Sequence, residues 1–226
     1  LIARRASYRL QLHPGFGFRE AAAAVPYLAE LGVSHVYLSP ILQAAEGSTH
    51  GYDVVDPSHI SVALGGEAGL DALVAAARAA ELGLLVDIVP NHMSIAGRRN
   101  RWWLDVLENG RSSPYAHYFD VDWGHGDDRV LLPILGERYG RALASGAIRI
   151  ERDGARIVVR TGETVLPMSP RALGMLARRA PSNELQFIGD ALMTLPAATR
   201  QRDQAVLLAR LGALASALDA EIAATN

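Results

Sequence analysis

Hydrophobic and polar positions over residues 6–92 switch repeatedly between a period of two and a helical period. Tyr8, Leu10 and Leu12 alternate with Ser7, Arg9 and Gln11 up to His13-Pro14-Gly15, which predicts a strand over residues 6–12. Phe18 to Leu31 sets Ala21, Val25, Leu28 and Leu31 at helical spacing and stops at Gly32, a residue suited to the left-handed position after a helix. Pro26 inside that stretch predicts a kink or a late start. His35 to Leu38 reads as a short strand ended by Ser39-Pro40. Residues 41–66 carry too many Gly, Ser and His for a regular element and read as one long loop, functional or disordered. Glu67 to Leu82 is an Ala/Leu-patterned helix closed by Gly83, and Leu84 to His92 reads as a fully buried strand stopped by Pro90.

Strand, helix, strand, helix, strand in that order calls for right-handed parallel crossovers, hence an α/β fold. After Met93 the rhythm fails. Arg129 to Leu132 is a candidate strand, and Ile148 to Arg152 and Arg156 to Arg160 flank Asp153-Gly154, a hairpin signal. Residues 93–199 read as an inserted lobe with a small sheet. Ala205 to Ala223, Ala- and Leu-rich at helical spacing, reads as the crossover helix resuming over residues 200–226.

Composition narrows the function classes. Half of the chain is hydrophobic, enough for a sizeable core, and a net charge of −2 argues against an electrostatic nucleic-acid binder. Every basic residue is Arg, which reads as compositional bias rather than function. The absence of Cys excludes disulfides and thiolate metal sites and fits a reducing compartment. No apolar run reaches membrane-spanning length, and Leu1 to Leu12 lacks the apolar core of a signal peptide, so the expectation is a cytoplasmic protein with no membrane partner.

One carboxylate interrupts the apolar run of the third strand. Alternation puts Asp87 on the face of Leu85 and Val89, away from Val86 and Ile88. Burying a lone carboxylate is costly, and no Arg is near in sequence, so its partner has to come from elsewhere in the chain. Asn91 and His92 then stand at the carboxyl end of the strand, the edge where parallel α/β proteins place ligands.

Asp87-Ile88-Val89-Pro90-Asn91-His92 resembles the first signature region of the α-amylase family of glycoside hydrolases and transglycosidases, and the lobe after strand three resembles that family's second domain. Further stretches are similar, in order, to one transglycosylating branch of it: Tyr8 to Leu12, Tyr37 to Ile41, His50 to Val54, Leu64 to Glu67, Trp102-Trp103 with Asp105 to Glu108, and Leu131 to Gly136. The resemblance implies the amino-terminal part of a (β/α)8 barrel: three strands and two helices in residues 1–92, the small inserted domain in 93–199, and a return to the barrel in 200–226. It implies a maltooligosaccharide substrate, no cofactor, and conversion of the reducing-end α-1,4 bond to an α,α-1,1 bond; a plain α-glucan hydrolase and a noncatalytic carbohydrate-binding relative are the alternatives. The attacking Asp and protonating Glu of such retaining chemistry, about 5 Å apart, are expected after later barrel strands, beyond Asn226, so no catalytic residue is assigned in this chain.

The residues carried over bind or support. His92 matches a histidine that hydrogen-bonds the reacting sugar; without the motif it reads as a satisfied core histidine. Tyr52 matches an aromatic platform under the same sugar, its alternative being core packing. His50 either lines the neighbouring subsite or forms the turn. Asp53, Asp87 and Asn91 are expected to support the site. Asn91 also resembles an amide that ties the second domain through calcium in many amylases, but no complete oxygen cage is legible and no metal is assigned. Trp102 and Trp103 stay open between capping that subsite and a hydrophobic hinge, and Asp120, Asp122, Asp127 and Asp128 read as solvated loop rather than a metal site.

Overall fold

The computed structural model describes residues 5–124, 130–154 and 156–194, together with Ser216 and Ala220, both helical. The chain forms two compact units, residues 1–100 and 101–226.

The first unit is built on a three-stranded parallel sheet in the order β1 (Ser7–Leu10), β2 (His35–Leu38), β5 (Gly83–Val86). The register aligns Arg9, Tyr37 and Leu85 across the three strands. Side chains alternate, so the sheet has two unlike faces. Leu10, Val36 and Leu38 point into a core shared with Phe18, Ala21, Val25 and Leu28 of α1 (Phe18–Glu30) and Leu73 and Ala77 of α2 (Gly66–Ala79). The opposite face carries Arg9, Tyr37 and Leu85, and Gln11 and Asp87 continue it past the strand ends. That face is left for function.

Several expectations are corrected. Strand one is shorter than residues 6–12. Pro26 does not delay α1, which starts at Phe18, where the Glu20 carboxylate accepts the Gly17 backbone N–H at 3.0 Å. Residues 41–66 are not one loop: β3 (Leu42–Ala44) and β4 (Val54–Ile60) form an antiparallel pair followed by a 3₁₀ turn at Val62–Leu64. Pro57 lies within β4, tolerable because among the described residues that strand pairs on one side only. The third strand is not fully buried either. It ends at Val86, lies at the edge of the described sheet, and leaves Val86 41% and Ile88 68% exposed.

Gly83 has a different job from the one expected. The left-handed residue after α2 is Glu81, at φ 56°, while Gly83 opens β5 and pairs with His35. A Cβ at Gly83 would fall 2.4 Å from His35 Cδ2. The glycine is required by the close approach of a ring, not by a turn.

In the second unit, α3 (Arg101–Asn109) buries Trp103 and Val106. After α4 (Tyr139–Ala144), an antiparallel sheet runs β6 (Ile148–Asp153), β7 (Arg156–Thr161), β8 (Thr164–Pro167). The hairpin at Asp153-Gly154 is present, and β8 was not expected. Helices α5 (Pro170–Ala177) and α6 (Asn183–Met193) pair through Ala177, Leu185 and Leu192, each capped by a serine: Ser169 accepts from Ala172 N–H and Ser182 from Leu185 N–H. Val130 to Leu132 form no strand. Arg129, nearly all of the crossover helix expected at Ala205–Ala223, and Asn226, where the return to the barrel was expected to run out, fall outside the described residues. Among the described residues no helix is long and apolar enough to cross a membrane.

Substituting Gly83→Ala should weaken the sheet by about 1–3 kcal/mol, the usual cost of overpacking. Hydrogen exchange of the β2 and β5 amides in the whole protein measures this, and adding His35→Ala should restore most of the lost protection. Unchanged protection in Gly83→Ala would show that the ring gives way freely.

Candidate functional site

The polar face of the parallel sheet ends in a connected group of side chains. Asp87, just past β5, takes the Tyr52 hydroxyl on Oδ2 at 2.5 Å and Arg9 Nη1 on the same oxygen at 3.2 Å. Arg9 Nη2 donates to the Tyr52 oxygen at 3.1 Å and to Gln11 Oε1 at 3.3 Å, and its guanidinium carbon lies 4.8 Å from the centre of the Tyr37 ring. The sequence requirement that Asp87 find a distant partner is therefore met by Arg9, 78 residues earlier. Alternation and register explain why. Arg9 and Leu85 flank Tyr37 on one face, and Asp87 is the next residue on that face beyond Leu85.

Tyr52 is anchored through its backbone as well. Its N–H donates to His50 Nδ1 at 3.0 Å, and its carbonyl is 3.0 Å from His92 Nε2, which must donate because a carbonyl only accepts. Neutral His50 then carries its proton on Nε2, and neutral His92 presents a bare Nδ1. The two imidazoles, both bonded to the Tyr52 backbone, offer one donor and one acceptor. Tyr52 is 37% exposed and stacks on His50 with centroids 6.0 Å apart. Its hydroxyl is used up by Asp87 and Arg9, so the ring face is what it can offer a ligand. A pyranose presents C–H groups on one side and hydroxyls at its rim, which suits a ring face with a donor and an acceptor beside it.

The expected residues fall into place as follows. Tyr52, His92, His50 and Asp87 are brought together directly. Asp53 acts on the loop: Ser48 Oγ donates to its Oδ1 at 2.5 Å and accepts from Gly51 N–H at 3.1 Å, closing the turn that carries His50 and Tyr52. His50 Nδ1 is 3.8 Å from Asp53, too far for a hydrogen bond. Asn91 stands exposed, well past the end of β5 at Val86. Asp120 and Asp122 are exposed, with Asp122 capping Gly124 N–H at 2.9 Å; Asp127 and Asp128 lie outside the described residues. The attacking and protonating carboxylates were expected beyond Asn226, and none of the carboxylates in the group around Tyr52 is assigned either role. Within the second unit Trp102 stacks on Tyr115, centroids 5.1 Å apart, and Trp103 packs against Phe119 at 5.0 Å. Sequence reasoning missed Arg9, Gln11 and Tyr37. The signal was there: the alternation that buries Leu10 and Leu12 turns Arg9 and Gln11 to the opposite face. Gln11 Nε2 reaches the Thr49 carbonyl at 3.3 Å, tying β1 to the same loop.

Electrostatics follow the bonds. The Tyr52 hydroxyl foremost, then Arg9 and Tyr37, hold the Asp87 carboxyl below its usual range against the opposing effect of desolvation. Hydrogen bonds from Arg9 to Tyr52 and Asp87 raise the Arg9 pKa in turn.

Comparison with known proteins agrees with this architecture. Residues 21–141 match the family model described as the alpha amylase catalytic domain, and the chain belongs to that family. Within it, the chain is 48% identical over 170 residues to a Mycobacterium tuberculosis protein provisionally named a maltooligosyl trehalose synthase, covering 73% of this chain and 21% of that protein. The solved structure of maltooligosyltrehalose synthase from Arthrobacter ramosus aligns with a TM-score of 0.65 at 44% identity, over 73% of this chain and 21% of that one. The malto-oligosyltrehalose trehalohydrolase of a Rhizobium species is 34% identical over 117 residues, covering 51% of this chain and 21% of that protein. The chain thus spans about one fifth of the length of the first two relatives.

Because the folded pKa of Asp87 is depressed, its stabilising contribution is present above the unfolded value, about 3.9, and is lost as pH falls through the folded value. Hydrogen exchange of the β1 and β5 amides should show protection falling more steeply in the wild type than in Asp87→Asn as pH drops from about 5 to about 2.5. Parallel slopes would mean that the carboxylate contributes nothing to the sheet.

Proposed function

We propose that these residues are the amino-terminal part of an enzyme that rearranges maltooligosaccharides by intramolecular transglycosylation, converting the reducing-end α-1,4 linkage to an α,α-1,1 linkage. The observation that carries this reading is the 44% and 48% identity to proteins named as maltooligosyltrehalose synthases. The site supports it, because Tyr52 offers a ring face to a sugar and His50 and His92 offer a donor and an acceptor at its rim. In this reading the three parallel strands begin a (β/α)8 barrel, residues 93–199 are its inserted second domain, and residues 200–226 return to the barrel. Asp53, Asp87 and Asn91 support the site, and the substrate is held by Tyr52, His92 and His50.

Bond exchange is expected to fall to an attacking Asp and a protonating Glu on later strands, beyond Asn226, so the roles left to the present residues are binding and orientation. A platform that holds the glucosyl ring while the displaced glucose turns end for end favours transfer to a sugar hydroxyl over transfer to water. Hydrolysis is the second reading, favoured by the 34% identity to the Rhizobium trehalohydrolase.

Incubating the whole protein with maltopentaose separates the two. Rearrangement removes reducing ends without releasing glucose; hydrolysis creates new reducing ends, and that result would overturn the proposal. Residues 1–226 alone are expected to give no turnover in the same assay.

A further inference from the structure

We infer that Arg9 is a positioning residue for the sugar platform: it fixes the Tyr52 ring from the far end, by bridging the tyrosine hydroxyl and the Asp87 carboxylate. The inference rests on the proposed function for its kinetic part only.

The loop that carries Tyr52 runs from Ala45 to Asp53 between β3 and β4, and its residues are exposed or half-buried throughout. Backbone bonds to His50 and His92 set where Tyr52 leaves the loop, but the ring still turns about its side-chain bonds. Only its hydroxyl end is tied to the sheet. There Asp87 Oδ2 lies at 2.5 Å and Arg9 Nη2 at 3.1 Å, so the hydroxyl donates to one and accepts from the other. Arg9 contacts both partners at once, since Nη1 holds the same Asp87 oxygen at 3.2 Å. Tyr52 O, Asp87 O and the guanidinium close a three-membered set in which each member touches the other two.

Arg9 is itself constrained. Its guanidinium lies over Tyr37, its strand neighbour, and Nη2 also donates to Gln11 two residues on. A planar fork with several donors is needed, because one nitrogen faces the carboxylate while another faces the phenol. Lysine would supply the charge to Asp87 and leave the phenol oxygen without its donor. Without Arg9, the Tyr52 hydroxyl keeps a single bond to a carboxylate that has lost its cation.

The platform's placement matters equally to bound sugar and to the transition state, so the loss should fall on binding. In the whole protein, Arg9→Met should raise KM for maltopentaose about tenfold, more than it lowers kcat, and Tyr52→Phe should act similarly. Combining the two should add less than twofold, because both remove the same tie. Arg9→Lys should leave KM within about twofold of the Arg9→Met value. Additive effects, or full rescue by lysine, would overturn the inference. A second readout does not depend on the reaction. With fluorotyrosine incorporated, the Tyr52 resonance, identified by its loss in Tyr52→Phe, should move or broaden in Arg9→Met and Arg9→Lys. A Tyr52 signal identical to wild type in Arg9→Met refutes the positioning role even if the protein acts on no maltooligosaccharide. A wild type without turnover refutes the proposed function and leaves the fluorine result standing.

Discussion

A single carboxylate at the end of a short parallel strand sets the terms for the rest of the first unit. Asp87 lies where the sheet meets solvent, with its side chain only 17% exposed. A carboxylate in that position needs donors, and two distant elements converge to supply them: Arg9 from β1 and Tyr52 from the loop between β3 and β4. Satisfying Asp87 therefore draws Tyr52 onto the sheet edge, and His50 and His92 follow because both are bonded to the backbone of Tyr52. The arrangement is a chain of requirements rather than a list of contacts.

The division of labour between the two sheet faces makes this possible. Leu10, Val36 and Leu38 go to the helices, and the same alternation turns Arg9 and Tyr37 to the other side. A slip of one residue in the pairing of β1 with β2 would put Arg9 into the core and Leu10 under the loop. Burial of the leucines thus fixes the position of the arginine. Hydrophobic packing supplies the rigidity, and the polar network uses it.

Much of this was legible in the chain and some was not. The succession β1, α1, β2, α2, β5 follows from periodicity and from Gly, Pro and Ser punctuation, and His35 to Leu38 matches its strand in full. The need of Asp87 for a remote partner could be argued from burial alone. Alternation puts Arg9 on the polar face, but which residue answers Asp87 could not be read, because the two meet only once two parallel pairings are in register. The β3–β4 pair was hidden by a Gly-, Ser- and His-rich connection and by Pro57, which a central strand would not tolerate. Gly83 was misassigned because a glycine after a helix normally reads as its terminator, whereas here the space is taken by the His35 ring and Glu81 adopts the left-handed conformation.

The central claim is that the Asp87-anchored Tyr52 ring, with His50 and His92 bonded to its backbone, holds a glucose unit. A crystal structure of the whole protein with a maltooligosaccharide tests it most directly. The account predicts a pyranose packed on the Tyr52 ring at about 4 Å, van der Waals contact, with sugar hydroxyls on His92 Nδ1 and His50 Nε2. Sugar bound away from Tyr52, or a Tyr52 ring swung off Asp87 to make room for it, would contradict the account.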